Sequence, residues 1–132
     1  MVQITLEHGA TCYTPAILGL WGSHVADYYD ELKECAEMGD IVLKMSEEQE
    51  EMEGKGFCVM VVHICCYHLK YPLFDSLEPS LEGFRLARDN GDIAAAAFCL
   101  QLHGMLAAAI GMPLDLYLPQ IKSKYIVPEL CV

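Results

Sequence analysis

The stretch Phe57–Leu73, with the sequence FCVMVVHICCYHLKYPL, aligns without a gap against Phe98–Leu114, with the sequence FCLQLHGMLAAAIGMPL. The two copies are offset by 41 residues, from 57 to 98, and share Phe, Cys, Pro and Leu at equivalent places. Further equivalent positions match in character: Val61/Leu102, Ile64/Met105, Leu69/Ile110, Leu77/Leu118 and Phe84/Tyr125. A helix, a Pro-Leu break and a second helix, followed by the same order again, predict an array of αα-hairpins.

Proline, glycine and charge divide the N-terminal half of the chain into helix-sized pieces. Thr14-Pro15 predicts a helix start, because Pro suits the first helical position. The acidic run Glu47–Glu53 and the following Gly54-Lys-Gly56 predict a solvated helix end and a connection. A third helix is predicted over Lys55–Lys70, with Pro72 as its stop. Apolar residues at helical spacing support the first helix, at Ile17, Leu18, Trp21 and Val25. A second helix from Asp30 is supported in the same way, by Leu32, Cys35, Ala36, Met38, Ile41, Val42 and Met45.

The C-terminal half carries capping signals at each predicted boundary. Asp75-Ser-Leu-Glu78 has the chemistry of a capping box, with Asp75 as the N-cap. Asn90-Gly91 ends that helix with a left-handed cap, and Asp92 caps the next helix, Ile93–Ile110, whose small residues allow close packing. A final helix is bent or delayed by Pro119. The predicted inner positions of the helix after Asp75 are Leu77, Leu81, Phe84 and Leu86 or Ala87, with Arg85 and Arg88 outward. The final helix is predicted from the spacing of Leu114, Leu118, Ile121 and Tyr125.

These boundaries predict an all-α fold of about six helices, arranged as a tetratricopeptide-like solenoid of αα-hairpins. Residues 1–13 form an N-terminal segment, in which residues 2–6 have the pattern of a short strand. A helical-repeat domain covers residues 14–132, with hairpins at about 14–53, 55–90 and 92–126.

Composition excludes several classes of partner. The 132 residues are 54% hydrophobic and carry a net charge of −11, so the surface repels the phosphates of nucleic acids and of anionic lipids. The two most apolar stretches, Phe57–Tyr71 and Ile93–Gly111, lack the sustained apolar length of a membrane span. The N-terminus has no signal-peptide pattern, which predicts a cytoplasmic protein whose seven cysteines, at 12, 35, 58, 65, 66, 99 and 131, stay reduced.

Glu82–Ala97, with the sequence EGFRLARDNGDIAAAA, resembles the segment A-x-x-x-G-L-E-T-G-D-L-E-Y-A-A-Y of a family of large signalling proteins. These proteins join a serine/threonine kinase-like domain, an AAA-type ATPase and often a sensor histidine kinase, with a tetratricopeptide-like helical region after the ATPase. His68–Leu73 is similar to that region's H-W-K-x-P-L, Gly111–Leu114 to its S-G-x-P-L, and Gln120–Tyr125 to its E-I-x-x-Y. The resemblance covers roughly residues 30 to 125.

The resemblance implies a repeat region rather than a catalytic one, because its motifs are turns and caps. The chain contains no Gly-x-x-x-x-Gly-Lys-Ser/Thr phosphate loop, no His-Arg-Asp and no Asp-Phe-Gly. We therefore expect a non-enzymatic segment that binds protein, either other domains of a larger signalling protein or a separate partner. Since a stack of hairpins leaves apolar ends, we also expect the isolated chain to self-associate.

The alternative is a small helical domain that binds a metal or a ligand. His63, Cys65, Cys66 and His68 have metal-ligand side chains, but their two i,i+3 pairs point in different directions and need a further ligand such as Cys99 or His103. Cys66 with His63 has the spacing of a nucleophile and a base, which any helix offers by chance. We interpret these residues as core and assign no catalytic residue, no metal and no cofactor.

Two further groups have both a structural and a functional interpretation. Acidic residues at the start of the second helix are interpreted as a solvated edge rather than as acid–base groups: Asp27, Asp30, Glu31 and Glu34. Trp21, Tyr28 and Tyr29 are predicted to be core, because the first two helices must bury something. Exposure of these aromatic side chains would instead mark an interaction site.

Overall fold

A computed structural model describes residues 7, 9–29, 32–49 and 53–124 of the chain. Across these ranges all regular secondary structure is helical, and six α-helices are present: α1 Thr14–Tyr29, α2 Leu32–Glu48, α3 Lys55–Val61, α4 Leu77–Asp89, α5 Ile93–Ala109 and α6 Leu114–Lys124. The all-α class and the number of helices are thus confirmed for the described part. The predicted strand at residues 2–6 lies outside it, and so does Tyr125 of the predicted final helix.

The helix predicted over Lys55–Lys70 is wrong in its second half. The α-helical conformation ends at Val61, and the chain continues as a π-helical turn, Val62–Cys66, and a 3₁₀ turn, Tyr67–Leu69. The amide of Tyr67 donates to the carbonyl of Val62, five residues back, which is the hydrogen bond of a π-helix. This widened turn is the first departure of this segment from its copy in α5.

Helix α3 lies at the centre of the packing. It contacts α1 and α2 on one side and α4 and α5 on the other. The two remaining close pairings join α1 to α2 and α4 to α5, so that every helix from α1 to α5 packs on its neighbour in sequence.

Close approach of α3 and α4 depends on two glycines. A Cβ at Gly56 would lie 2.6 Å from the carbonyl oxygen of Gly83 and 2.7 Å from the Cβ of Ala87. A Cβ at Gly83 would lie 3.1 Å from Sγ of Cys99, on α5. Because protein interiors are close-packed, the absence of side chains at these positions sets the distance between the helices.

The joint between α4 and α5 confirms the predicted capping. Gly91 has a φ of +77°, the left-handed conformation that glycine adopts without strain. The amide of Asp92 donates to the carbonyl of Ala87 at 2.9 Å, and Oδ1 of Asp92 accepts from the amide of Ala95 at 2.9 Å. The short joint folds α5 back onto α4.

The predicted capping box at the start of α4 is wrong, whereas the predicted inner face of α4 is confirmed. Ser76, rather than Asp75, precedes the helix, and no side chain caps it, because a 3₁₀ turn over Leu73–Ser76 leads directly into α4. The predicted inner positions Leu77, Leu81, Phe84 and Ala87 are buried. The α4 contribution to the core therefore follows from helical periodicity alone.

Candidate interaction surface

Helix α5 has an uncovered apolar side. Ala95, Cys99, Leu102 and Leu106 face the core, whereas the opposite side exposes Phe98 at 53% and Met105 at 54% of their surface. The helix contains no charged residue, and its apolar side chains surround its axis. We define the exposed stripe formed by Ala97, Phe98, Gln101 and Met105 as the α5 face.

The 41-residue repeat shows that the α5 face is exposed where the equivalent positions of α3 are buried. Gly56 and Met60 on α3 are buried, but their equivalents Ala97 and Gln101 on α5 are exposed. On α3 this surface is covered, since Gly56 contacts α4 and its carbonyl oxygen accepts from Sγ of Cys99 at 3.4 Å. The described part of the chain provides no such cover for α5.

Helix α1 exposes the aromatic residues that were predicted to be core. Trp21 is exposed by 52%, Tyr28 by 83% and Tyr29 by 73%, so that prediction is wrong. The physical reason is that α1 buries its small residues instead: Ala16, Gly19, Gly22 and Ala26. A Cβ at Gly22 would lie 2.9 Å from Cγ of Met38, so α2 approaches too closely for a large side chain. The exposed aromatic side chains match the alternative interpretation, an interaction site.

The C-terminal helix extends the exposed apolar surface. Leu114, Leu116 and Leu118 on α6 are all exposed, whereas Ile121 is buried. Tyr117 stacks on His103 with ring centroids 5.7 Å apart, which joins α6 to α5. Exposed large apolar residues thus concentrate at α1 and at α5 with α6, at both ends of the described helices.

A groove opens between α2, α3 and α4. It has a volume of about 540 Å³, and its apolar wall is formed by Leu43, Val59 and Pro79. His63 also lines it. Three exposed carboxylates stand around the groove: Glu47, Glu78 and Glu82.

Each of the two buried histidines hydrogen-bonds to residues just before or at the start of α4. Nδ1 of His63, on the π-helical turn, is 2.8 Å from Oγ of Ser76, and its ring meets Tyr67 edge-on. Nδ1 of His103, on α5, is 3.1 Å from Oγ of Ser80 and donates to the carbonyl of Leu77 at 3.1 Å. Burial lowers the pKa of His63 to about 4 and also lowers the pKa of His103. Both rings are therefore neutral at pH 7.

The His/Cys cluster does not form a common centre. His63 contacts Ser76, just before α4, whereas Sγ of Cys66 donates to the carbonyl of Gly19 on α1 at 3.6 Å. His68 is exposed and Cys65 is half-buried. In the part of the chain that the structure describes, no three side chains of His, Cys, Asp or Glu come close enough together to hold a metal ion.

The buried cysteines are poor nucleophiles. Burial raises the pKa of Cys58 to about 11 and of Cys99 to about 12, and it raises the pKa of Cys66 further still. Each thiol donates to a backbone carbonyl, and all six described cysteines are free. The spacing of Cys66 and His63 does not bring them together as nucleophile and base, because His63 contacts Ser76 and Cys66 contacts Gly19 on α1.

The remaining predicted groups lie at the surface. Asp27 and Glu34 of the acidic edge are exposed, as expected of a solvated face, and Asp30 and Glu31 lie outside the described residues. Arg85 lies on the outer side of α4, where it pairs with Glu82 at 2.8 Å. None of the described helices combines the length and the apolar character that a membrane span requires.

Comparisons with known proteins add no relative. No protein-family model matches the chain, and neither a curated protein nor a solved structure matches it. The resemblance to the repeat region of the kinase/ATPase signalling family therefore stays a prediction.

Proposed function

We propose that this chain is a non-catalytic segment of a tetratricopeptide-like array that binds protein through the α5 face. The observation that carries the proposal is the contrast between equivalent positions. Gly56 and Met60 are buried, with Gly56 against α4, whereas Ala97 and Gln101 are exposed. A stacked repeat leaves this surface open only at the end of an array, where another repeat or a partner packs on it.

The order of helix contacts supports the repeat arrangement. In an αα-array the first helix of each hairpin packs on the first helix of the next, and each second helix packs between them. Helices α1, α3 and α5 follow this order, because α3 contacts both α1 and α5. Helices α2 and α4 each pack on the helices before and after them in the chain.

The chemistry of the surface supports a protein partner. Three exposed large apolar residues lie along one uncharged helix, and α6 adds three more: Ile93, Phe98, Met105, Leu114, Leu116 and Leu118. Exposed apolar patches of this kind mark protein interfaces in folded domains. The partner is another domain of a larger signalling protein or a separate protein, and the free thiols fit the reducing cytoplasm.

Light scattering across a concentration series tests this function, with metal content measured on the same chromatographic peak. We expect the isolated chain to shift from monomer to a larger species as concentration rises, without bound metal. The double variant Phe98→Gln/Met105→Gln is expected to stay monomeric. Its matched control, Ile41→Gln/Phe74→Gln, removes two apolar side chains elsewhere that are at least as exposed apart from a difference of one percent at Ile41, and it is expected to associate like the parent chain.

Two results would contradict the proposal. A monomer at every concentration would show that the α5 face does not require a partner. Stoichiometric zinc on the peak would make the His63–His68 cluster the centre of the protein instead.

A further inference from the structure

The groove between α2, α3 and α4 combines an apolar wall with carboxylates on two sides. Leu43, Val59 and Pro79 supply the apolar wall, and each is only partly buried, so their side chains are open to a ligand. Glu47 stands on the α2 side, opposite Glu78 and Glu82 on the α4 side. This surface is distinct from the α5 face.

The groove retains negative charge after its internal ion pairs are counted. Arg85 is 2.8 Å from the carboxylate of Glu82 and 3.5 Å from that of Glu78, so one guanidinium is shared by two carboxylates. Glu47 lies on the other helix and adds a third carboxylate. His63, the only titratable nitrogen base among the lining residues, is buried against Ser76. The rim is therefore complementary to a cation.

We propose that this groove binds a short segment of a partner protein that presents an aliphatic side chain beside a lysine or an arginine. The aliphatic side chain would cover Leu43, Val59 and Pro79, and the cation would lie between Glu47 and the carboxylates of α4. A volume of about 540 Å³ accommodates a few side chains rather than a whole helix. The carboxylates repel phosphate, which excludes a nucleotide.

Titration with synthetic peptides tests the groove, with methyl NMR of Leu43 and Val59 as the readout. The probe is acetyl-ALKALKALKA-amide, and two matched peptides replace every Lys by Gln or every Leu by Ala. We expect the probe to shift the methyl signals of Leu43 and Val59, and each matched peptide to bind at least about threefold more weakly. Equal binding of all three peptides would overturn the proposal.

A pair of charge variants separates the groove from the general attraction of an acidic chain for a cationic peptide. Glu47→Gln is expected to weaken binding of the probe about threefold, and Glu47→Lys about tenfold. The controls Glu34→Gln and Glu34→Lys change the same charge at an exposed position of the same helix, outside the groove, and are expected to leave the affinity within about 1.5-fold. Equal losses at Glu34 and Glu47 would contradict a site in the groove.

These outcomes are independent of the proposed function of the α5 face. The variants Phe98→Gln/Met105→Gln change no residue of the groove, so they are expected to bind the probe like the parent chain. If the groove titration fails while the light-scattering result holds, the chain has one protein-binding surface. If methyl signals shift on α5 and not at Leu43 and Val59, the peptide binds the α5 face and the groove proposal is wrong.

Discussion

Helices α3 and α5 begin the two copies of the 41-residue sequence repeat, but they differ in shape and in exposure. Helix α5 runs without interruption for 17 residues, whereas α3 is α-helical for 7 residues and then widens into the π-helical turn Val62–Cys66. Helix α3 packs on α1, α2, α4 and α5, while α5 packs on α3 and α4 and exposes its outer side.

The π-helical turn lies where α3 meets the N-terminal hairpin. Sγ of Cys66 donates to the carbonyl of Gly19 on α1, and Sγ of Cys35 on α2 donates to the carbonyl of Cys65, each at 3.6 Å. The equivalent residues of α5, His103–Ala107, stay within a continuous α-helix. The comparison shows that the neighbouring helices, more than the repeated sequence pattern, set the geometry and the exposure of each copy.

The largest expected effect distinguishes the two sides of α5. Leu102 is buried at the equivalent of Val61, so Leu102→Ala leaves a cavity and is expected to lower the free energy of unfolding by about 3–4 kcal/mol. The matched control Met105→Ala removes an exposed side chain and is expected to change it by less than about 0.5 kcal/mol. Urea denaturation measures both. Equal effects would mean that the two sides of α5 are equally buried.

Buried His63, at the π-helical turn, makes the stability of the chain depend on pH. The folded-state pKa of His63, about 4, lies below the usual value of 6.5, so protonation opposes folding. Stability contributed by the neutral ring is complete above pH 6.5 and is lost as the pH falls toward 4, by up to about 3 kcal/mol.

Urea denaturation between pH 7.5 and 4 checks this dependence. His63→Gln keeps a polar partner for Ser76 but removes the titration, so the variant is expected to lose less stability over that range than the parent chain. His68→Gln, at an exposed position five residues along the chain, serves as the control and is expected to keep the parent slope. A slope unchanged by His63→Gln would place the acid sensitivity elsewhere.

Helices α3 and α5 also differ in how closely a neighbouring residue approaches their glycines. Gly56→Ala places a Cβ against backbone and against Ala87, which is expected to cost about 2 kcal/mol of folding stability because neither neighbour yields easily. Gly104→Ala on α5 meets only the hydroxyl end of Tyr117, at 3.1 Å, and a helical alanine offsets that contact. In thermal denaturation, the Tm of Gly56→Ala is expected to lie well below that of the parent chain, and the Tm of Gly104→Ala within about 2 °C of it. The reverse order would contradict the helix spacing described above.

The smallest effect concerns helix starts. Asp92→Ala removes the hydrogen bond to the amide of Ala95 and is expected to cost about 1 kcal/mol of folding stability. Asp75→Ala, at the corresponding acidic residue before α4, is expected to cost less than about 0.5 kcal/mol, because no side chain caps that helix. Chemical denaturation of both variants compares them, and a larger loss for Asp75→Ala would restore the capping box as the start of α4.

Features that depend on local chemistry were predictable from the sequence. The joint Asn90–Asp92 follows from the conformational freedom of glycine and from the capping oxygen of aspartate, and the inner face of α4 follows from helical spacing. The exposure of Trp21 was not predictable, because glycine and alanine occupy the opposite side of α1 and the distance to α2 decides which side is covered. The π-helical turn likewise depends on contacts with α1 and α2.

The α5 face was missed because an all-round apolar helix gives no indication of its exposed side. The repeat alignment contained one signal, since buried Met60 aligns with the polar Gln101. The groove was missed for a different reason: its residues come from three helices, and no motif brings Leu43, Val59 and Pro79 together in the sequence.

Methionine methyl NMR across a dilution series tests the central claim most directly, namely that the α5 face is an uncovered binding surface while its copy on α3 is covered. Met105 lies in the α5 face and Met60 is buried on α3, and Met105→Leu assigns the first signal. We predict that the Met105 methyl signal moves with protein concentration while the Met60 signal stays constant. A Met105 signal that is independent of concentration, or a Met60 signal that moves as much, would contradict the account.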